Sequence, residues 1–181
     1  MKRVMIFIDS NNFESAVKSL YQGNHQRIDY EKLAQYIATT KCNGNLQRLY
    51  YYTATGSDDK AKAAATKRFV DTLNKKVPNC IAKTGYLKII GKKPDGTNIY
   101  VEKGTDVNIA VDIVSLAFNN AYDEAVLLSA DSDYEPAIQM ARNYGKNVVV
   151  GVVDQQTAGY LKDICDDNFT LSKADISKVL R

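Results

Sequence analysis

Ala125-Val126-Leu127-Leu128-Ser129-Ala130-Asp131-Ser132-Asp133-Tyr134-Glu135-Pro136 is the stretch whose reading decides the fold. Its apolar run has the length of one buried strand and stops at two carboxylates one residue apart. Pro136 then suits the first turn of a helix. In α/β folds the carboxyl edge of such a strand is where ligands bind. Two like charges so close are unfavourable unless a cation, a proton or a buried network offsets them. Taken alone, the pair also reads more plainly, with Asp133 as a helix cap and Asp131 as a solvated turn residue.

The same pattern opens the chain. Val4-Met5-Ile6-Phe7-Ile8 is apolar on both faces, as a central parallel strand is, and ends at Asp9-Ser10-Asn11-Asn12. A helix is expected from Phe13 to Leu20, capped by Ser10 or Asn11. Asn12 can give a neutral oxygen to a cation or hold Asp9 in place. Further on, Lys103-Gly104-Thr105-Asp106 precedes a helix through Phe118, with Thr105 as its expected cap and Asp106 in the first turn, where the dipole favours a carboxylate. Val107, Ala110, Val111, Val114 and Ala117 form its expected apolar stripe. Asp112 lies six residues on, about 240° around the axis from Asp106, so the two share no face, and it reads either as a further metal ligand or as a partner for a Lys or Arg.

Between these stretches strands and helices alternate. A helix is expected over 29–38, a Tyr-rich strand over 46–54 ending at Thr55-Gly56-Ser57-Asp58, and a helix over 59–76. A hairpin turns at Lys92-Lys93-Pro94-Asp95-Gly96. A strand follows over 147–153, then a helix over 158–164, a short strand over 168–171 and a helix over 173–180. Tyr50, Tyr51 and Tyr52 read either as a surface for stacking bases or as half-buried sheet. No linker, repeat or low-complexity segment interrupts the pattern. A single α/β domain over 1–181 is expected, its layers formed by helices on both sides of a mostly parallel sheet.

Composition narrows the chemistry. At 181 residues, with 45% hydrophobic and 25% charged residues, the chain can bury a substantial core. It contains no apolar run of membrane-spanning length and no signal-peptide pattern, so a cytoplasmic protein away from membranes is expected. Cys42, Cys80 and Cys165 form no close pair, and His25 is the single histidine, which leaves no cluster suited to zinc or to a Ser-His-Asp or Cys-His mechanism. Reduced thiols are expected, and any metal chemistry must run on carboxylates. The net charge of +3 is unevenly spread. Lysines and arginines crowd 60–76 and 83–103, whereas 104–141 contains none and holds Asp106, Asp112, Asp123, Glu124, Asp131, Asp133 and Glu135. A basic surface beside an acidic pocket is what a metal-dependent enzyme acting on a polyanion needs. For any single lysine, a solvated face is the simpler account. Asp9, Asp106 and Asp131 would converge at one edge of a parallel sheet, and an oxygen-only set suits Mg²⁺ or Mn²⁺.

Phe7-Ile8-Asp9-Ser10-Asn11-Asn12-Phe13, Lys103-Gly104-Thr105-Asp106-Val107 and Ser129-Ala130-Asp131-Ser132-Asp133-Tyr134 resemble, in order and spacing, the three motifs of the NYN domain family, the LabA-like group of PIN-like nucleases. The resemblance covers essentially the whole chain. It implies a three-layer PIN-like α/β fold and a Mg²⁺- or Mn²⁺-dependent endoribonuclease acting on single-stranded RNA. By position, Asp9, Asp106 and Asp131 match the metal-binding acids and Asp133 a further acid, the four forming the catalytic set. Asn12, Lys103 and Ser129 are placed to meet substrate. Ser10 stands where the family usually has a glycine. Members of the family also act in regulation without nuclease activity, so a non-catalytic module that binds RNA or protein is the other reading, with self-association into a homodimer left open. A phosphatase or phosphoacceptor is disfavoured, because no D-x-D follows the first strand.

Overall fold

The computed structural model describes residues 1–56 and 60–181. The buried first strand, β1 (Arg3–Asp9), lies at the centre of a seven-stranded sheet. β2 (Asn45–Thr55) and β3 (Cys80–Lys92) continue the sheet on one side of β1, and β4 (Asn98–Lys103) closes that edge. On the other side come β5 (Glu124–Leu128), β6 (Asn147–Val153) and β7 (Asp167–Leu171). All neighbours are parallel except β3 and β4, which form the antiparallel hairpin.

The chain leaves β1 in one direction for β2, and winds in the other from β5 through β6 to β7. Because crossovers keep one hand, the two directions place their helices on opposite faces. Val4, Ile6 and Ile8 point to the face covered by α1 (Ser10–Leu20), α2 (Tyr30–Tyr36), α3 (Lys60–Lys76) and α7 (Lys173–Lys178). Met5 and Phe7 point to the face covered by α4 (Thr105–Phe118), α5 (Glu135–Asn143) and α6 (Gly159–Ile164). The reversal of direction falls between β1 and β5, which is where an open α/β sheet leaves a crevice at its carboxyl edge. Asp9 and Ser129 stand at that crevice.

Most expected elements are present with ends shifted by a residue or two. The caps differ more. Asp9 itself, not Ser10 or Asn11, caps α1, accepting from the Asn12 N–H. Asp29 caps α2, which runs on through a π turn at Ile37–Lys41. Gly104, in the left-handed region at φ 84°, occupies the cap position of α4, and Thr105 is the first helical residue, buried within the fold. The expected turn at Ser57-Asp58 and the helix start at Asp59 lie outside the described residues.

The expected stripe of α4 is corrected. Ile109, Ile113 and Ala117 face the sheet, while Val107 and Val111 are 64% and 57% exposed. Both sides of this helix are apolar, so spacing alone does not fix its rotation. Its two aspartates do: at about 100° per residue Asp106 and Asp112 flank the Ile109–Ile113 line, and each bonds to a group rising from the sheet side. The three tyrosines of β2 are buried, at 4%, 2% and 1% exposure, which removes them as a base-stacking surface. Among the described residues no helix is long and apolar enough to cross a membrane. The three thiols are unpaired, and burial pushes the Cys42 and Cys80 thiols up to about 12 and about 11.

Candidate active site at the carboxyl edge of the sheet

Asp9 reaches the rim because β1 ends there, and its alternation with Phe7 turns the carboxylate toward α4 and α5. It is 6% exposed. Three donors surround it: the Asn12 N–H at 3.2 Å on Oδ1, and on Oδ2 the Ser129 hydroxyl at 3.1 Å and the Tyr134 hydroxyl at 3.2 Å. Burial raises its pKa above the ordinary carboxylate value, the hydrogen bonds oppose that rise, and the neighbouring Asp106 adds to it.

Asp106 is brought in by the hairpin. Tyr52 of β2 sits beside Asp9, and Thr55 lies across from Tyr86 of β3, which pairs with Lys103 at the end of β4. The returning strand therefore ends just above the level of Asp9, and α4 starts over the edge of the sheet. A Cβ at Gly85 would lie 2.4 Å from Thr105 Oγ1, so only glycine lets the first turn of α4 settle this close. Tyr134, from the 3₁₀ turn Ser132–Tyr134, then places one hydroxyl 3.2 Å from Asp9 Oδ2 and 3.1 Å from Asp106 Oδ1. One proton cannot serve both acceptors fully, so two carboxylates from distant parts of the chain compete for it. Burial first, then Asp9 and Asp106, push the Tyr134 phenol far above its ordinary value, and it stays a donor.

Asp131 caps the 3₁₀ turn, its Oδ1 accepting the Asp133 N–H at 3.0 Å. The plain capping reading thus holds, but for Asp131 rather than Asp133, whose side chain is exposed. Ser129, expected to contact substrate, is 1% exposed. Its hydroxyl donates to Asp9 and accepts the Asp131 N–H at 3.2 Å, tying one acid to the backbone of the other. Asn12 is similarly engaged inside the protein. Its Oδ1 accepts the Ala130 N–H at 3.0 Å and the Gln156 side-chain amide at 2.7 Å, which joins α1, the end of β5 and the loop after β6. Lys103 is exposed at the end of β4, three residues before Asp106. Lys83, which sequence grouped with the basic surface, is paired at 2.7 Å with Asp112, whose carboxylate also accepts from Tyr52. Of the two readings of Asp112 the structure has the ion pair, which removes Asp112 from the acid rim.

The site brings Asp9 and Asp106 together around one hydroxyl and holds Asp131 beside them through Ser129. Among the described residues no three His, Cys, Asp or Glu side chains are grouped as they would be around a metal ion. Two side chains that hold these groups in place escaped sequence reading. Tyr134 lies in the decisive stretch, but its spacing from Asp131 says nothing of a hydroxyl shared by two remote acids. Gln156 sits in a polar loop with no signal at all.

A three-layer α/β domain with a switch-point crevice lined by carboxylates is the architecture of PIN-like domains. The chain belongs to the NYN domain family, which it matches over residues 3–173. It is similar to the low amplitude and bright protein LabA of Synechococcus elongatus, at 27% identity over 164 residues covering 91% of this chain and 81% of that protein. A shorter similarity, 45% over 47 residues, is to an uncharacterized protein of Sinorhizobium fredii, covering 26% of this chain and 22% of that one. A crystal structure of a protein of unknown function from Vibrio parahaemolyticus superposes with a TM-score of 0.65 at 22% identity, covering 99% of this chain and 96% of the other, which is a likeness of fold.

Proposed function

We propose that this NYN domain is an endoribonuclease of the cytoplasm that hydrolyses phosphodiester bonds of single-stranded RNA with Mg²⁺ or Mn²⁺ at the Asp9–Asp106–Asp131 rim. The observation that carries this reading is the meeting of Asp9 and Asp106 at the Tyr134 hydroxyl, beside Asp131, in the switch-point crevice. The donors fit a hard divalent ion by their chemistry: all are oxygens, and Asp9 bears the raised pKa of a buried acid beside a second one, which a cation relieves. Asp9, Asp106 and Asp131 would hold the ion. Bound there, it supplies charge to offset the phosphoryl oxygens and to lower the pKa of an attacking water.

The residues of the chain do the rest. Ser129 and Tyr134 hold Asp9 by its Oδ2, and Asn12 fixes α1 to β5 so that the acids keep their spacing. Asp133, exposed beside Asp131, orients water. Lys103 meets a phosphate from the outer side, and the exposed lysines of α3 and of the hairpin tip provide a looser electrostatic track. The decisive assay is cleavage of single-stranded RNA by purified protein with Mn²⁺, with EDTA and the Asp9→Asn and Asp131→Asn variants as controls and circular dichroism to verify folding. Product that vanishes with EDTA and in both variants is expected. Full activity in folded Asp131→Asn would remove Asp131 from the site.

A second reading has its own support. Asp131 caps the 3₁₀ turn, and among the described residues no three such side chains are grouped around an ion position, as suits a module that binds RNA or protein without turnover. RNA binding that ignores EDTA and Asp9→Asn, with no product, would favour it. Light scattering on the same sample reads whether the protein is a dimer.

A further inference from the structure

α4 is apolar on two sides, and the fold of one chain uses only one of them. Ile109, Ile113 and Ala117 face the sheet. On the opposite side Val107, Val111, Val114 and Phe118 follow at intervals of four, three and four residues, which at about 100° per residue makes one straight stripe. Val107, Val111 and Phe118 are 64%, 57% and 69% exposed, and Val114 is half-buried. α5 widens the stripe. Tyr144, just past its end, stands edge-on to Phe118 at a centroid distance of 5.6 Å, and Met140 lies one turn earlier, both 42% exposed. A helix that is apolar all round is ordinarily a buried one, because a solvated face carries charge. Here the four charged side chains of the two helices are drawn away from the stripe. Asp106 accepts from Tyr134, and Asp112 pairs with Lys83 on the sheet side. Glu135 accepts from Tyr160 of α6, and Arg142 pairs with Asp166 just before β7. Asn108, Ala110 and Ser115, which border the stripe on α4, are uncharged.

A stripe without lysine or arginine offers nothing to the phosphates of a nucleic acid or to the headgroups of an anionic membrane. Its arrangement fits a second copy of itself. Val111 and Val114 lie equally far from its midpoint, and so do Val107 and Phe118. Two α4 helices crossing antiparallel about a twofold axis at that midpoint bring each Val111 against a Val114 and each Phe118 against a Val107, a large side chain against a small one. No like charges meet, and the helix dipoles are opposed. The exposed apolar side chains of α4 and α5 offer roughly 500 Å² per copy, so a pair buries about 1,000 Å², the area at which a specific interface begins. We propose that α4 and α5 form the interface of a homodimer, with its twofold axis passing between Val111 and Val114. The proposal needs neither RNA nor a metal.

The test is sedimentation velocity on the purified full chain in EDTA. A species of twice the chain mass is expected from about 10 μM upward. Val111→Glu sets two carboxylates beside the axis and should raise the dissociation constant at least about a hundredfold, because like charges facing each other across an interface are strongly unfavourable. Val111 is exposed in the single chain, so the variant should keep the circular dichroism of the wild type. Val111→Lys should dissociate in the same way when alone. Mixing the two variants in equal amounts should restore the dimer, since opposite charges then meet across the axis. A misfolded variant or a different interface gives no such rescue. Ile90→Glu, on the exposed hairpin, is the control and should assemble as the wild type does. Asp9→Asn should also dimerise, so loss of cleavage and loss of this interface are read separately. A chain that stays monomeric at about 100 μM, even one whose α4 face is covered by a different protein, overturns the proposal. So does a dimer that survives Val111→Glu, a mixture of the two variants that stays monomeric, or a dimer that Ile90→Glu dissolves.

Discussion

Gly85 on β3 and Thr105 at the start of α4 approach so closely that a Cβ on the glycine would meet the threonine Oγ1 at 2.4 Å. This contact sets the height at which α4 begins and so where Asp106 stands. Gly85→Ala must push the helix outward. Overpacking of a buried site of this kind costs about 1–3 kcal/mol, to be read as a lowered urea midpoint with an unchanged slope. If cleavage is established, it should fall further than the stability loss explains, because Asp106 is displaced.

The Tyr134 hydroxyl is shared as a donor by Asp9 and Asp106. In Tyr134→Phe both carboxylates lose it while the ring stays packed. The expected loss is about 0.5–1.5 kcal/mol, the net worth of one hydrogen bond, since Asp9 keeps its Asn12 and Ser129 donors and Asp106 is exposed. Mn²⁺ that neutralises the pair should recover part of this, through mass action on the folded state. Thermal melts with and without Mn²⁺ decide it, and an equal loss in both would show that the acids do not share a cation.

Gln156 holds Asn12 from the loop after β6, its amide donating at 2.7 Å while its own oxygen accepts the Val153 N–H at 2.7 Å. Gln156→Ala removes both contacts from a part-buried place. A loss of about 1 kcal/mol in unfolding free energy is expected, with faster amide exchange at Ala130, whose N–H rests on the same Asn12 oxygen.

Asp175 gives a pH-dependent stability. Burial opposes its ionisation, but hydrogen bonds from Tyr36, the Ser172 backbone and hydroxyl, and Lys41 prevail, and its pKa lies below the ordinary carboxylate value. A depressed pKa in the folded state contributes stability that is present above the unfolded pKa and lost as pH falls through the folded one. Asp175→Asn should therefore lower the melting temperature at neutral pH, and the difference from wild type should shrink on acidification below about pH 4. A gap that stays constant with pH would assign the effect to packing.

Sequence by itself determined the order of strands and helices, because buried parallel strands such as Val4–Ile8 and Ala125–Leu128 are apolar on both faces and stop at polar turns. It also determined that any metal chemistry would be carried by oxygen, since one histidine and three scattered cysteines leave nothing else. It placed Asp9 and Asp131 at strand ends. What it left undecided are the relations between elements. The rotation of α4 was misread because Val107 and Val111 are as apolar as Ile109 and Ile113, and the inward face was chosen by bonds from Asp106 and Asp112 to partners far along the chain. Tertiary structure alone turned Asp131 into a cap, drew Lys83 out of the basic surface, and gathered Asp9 and Asp106 around one hydroxyl. A side chain's chemistry is written in the sequence, but the partner that uses it is fixed only when the chain folds back upon itself.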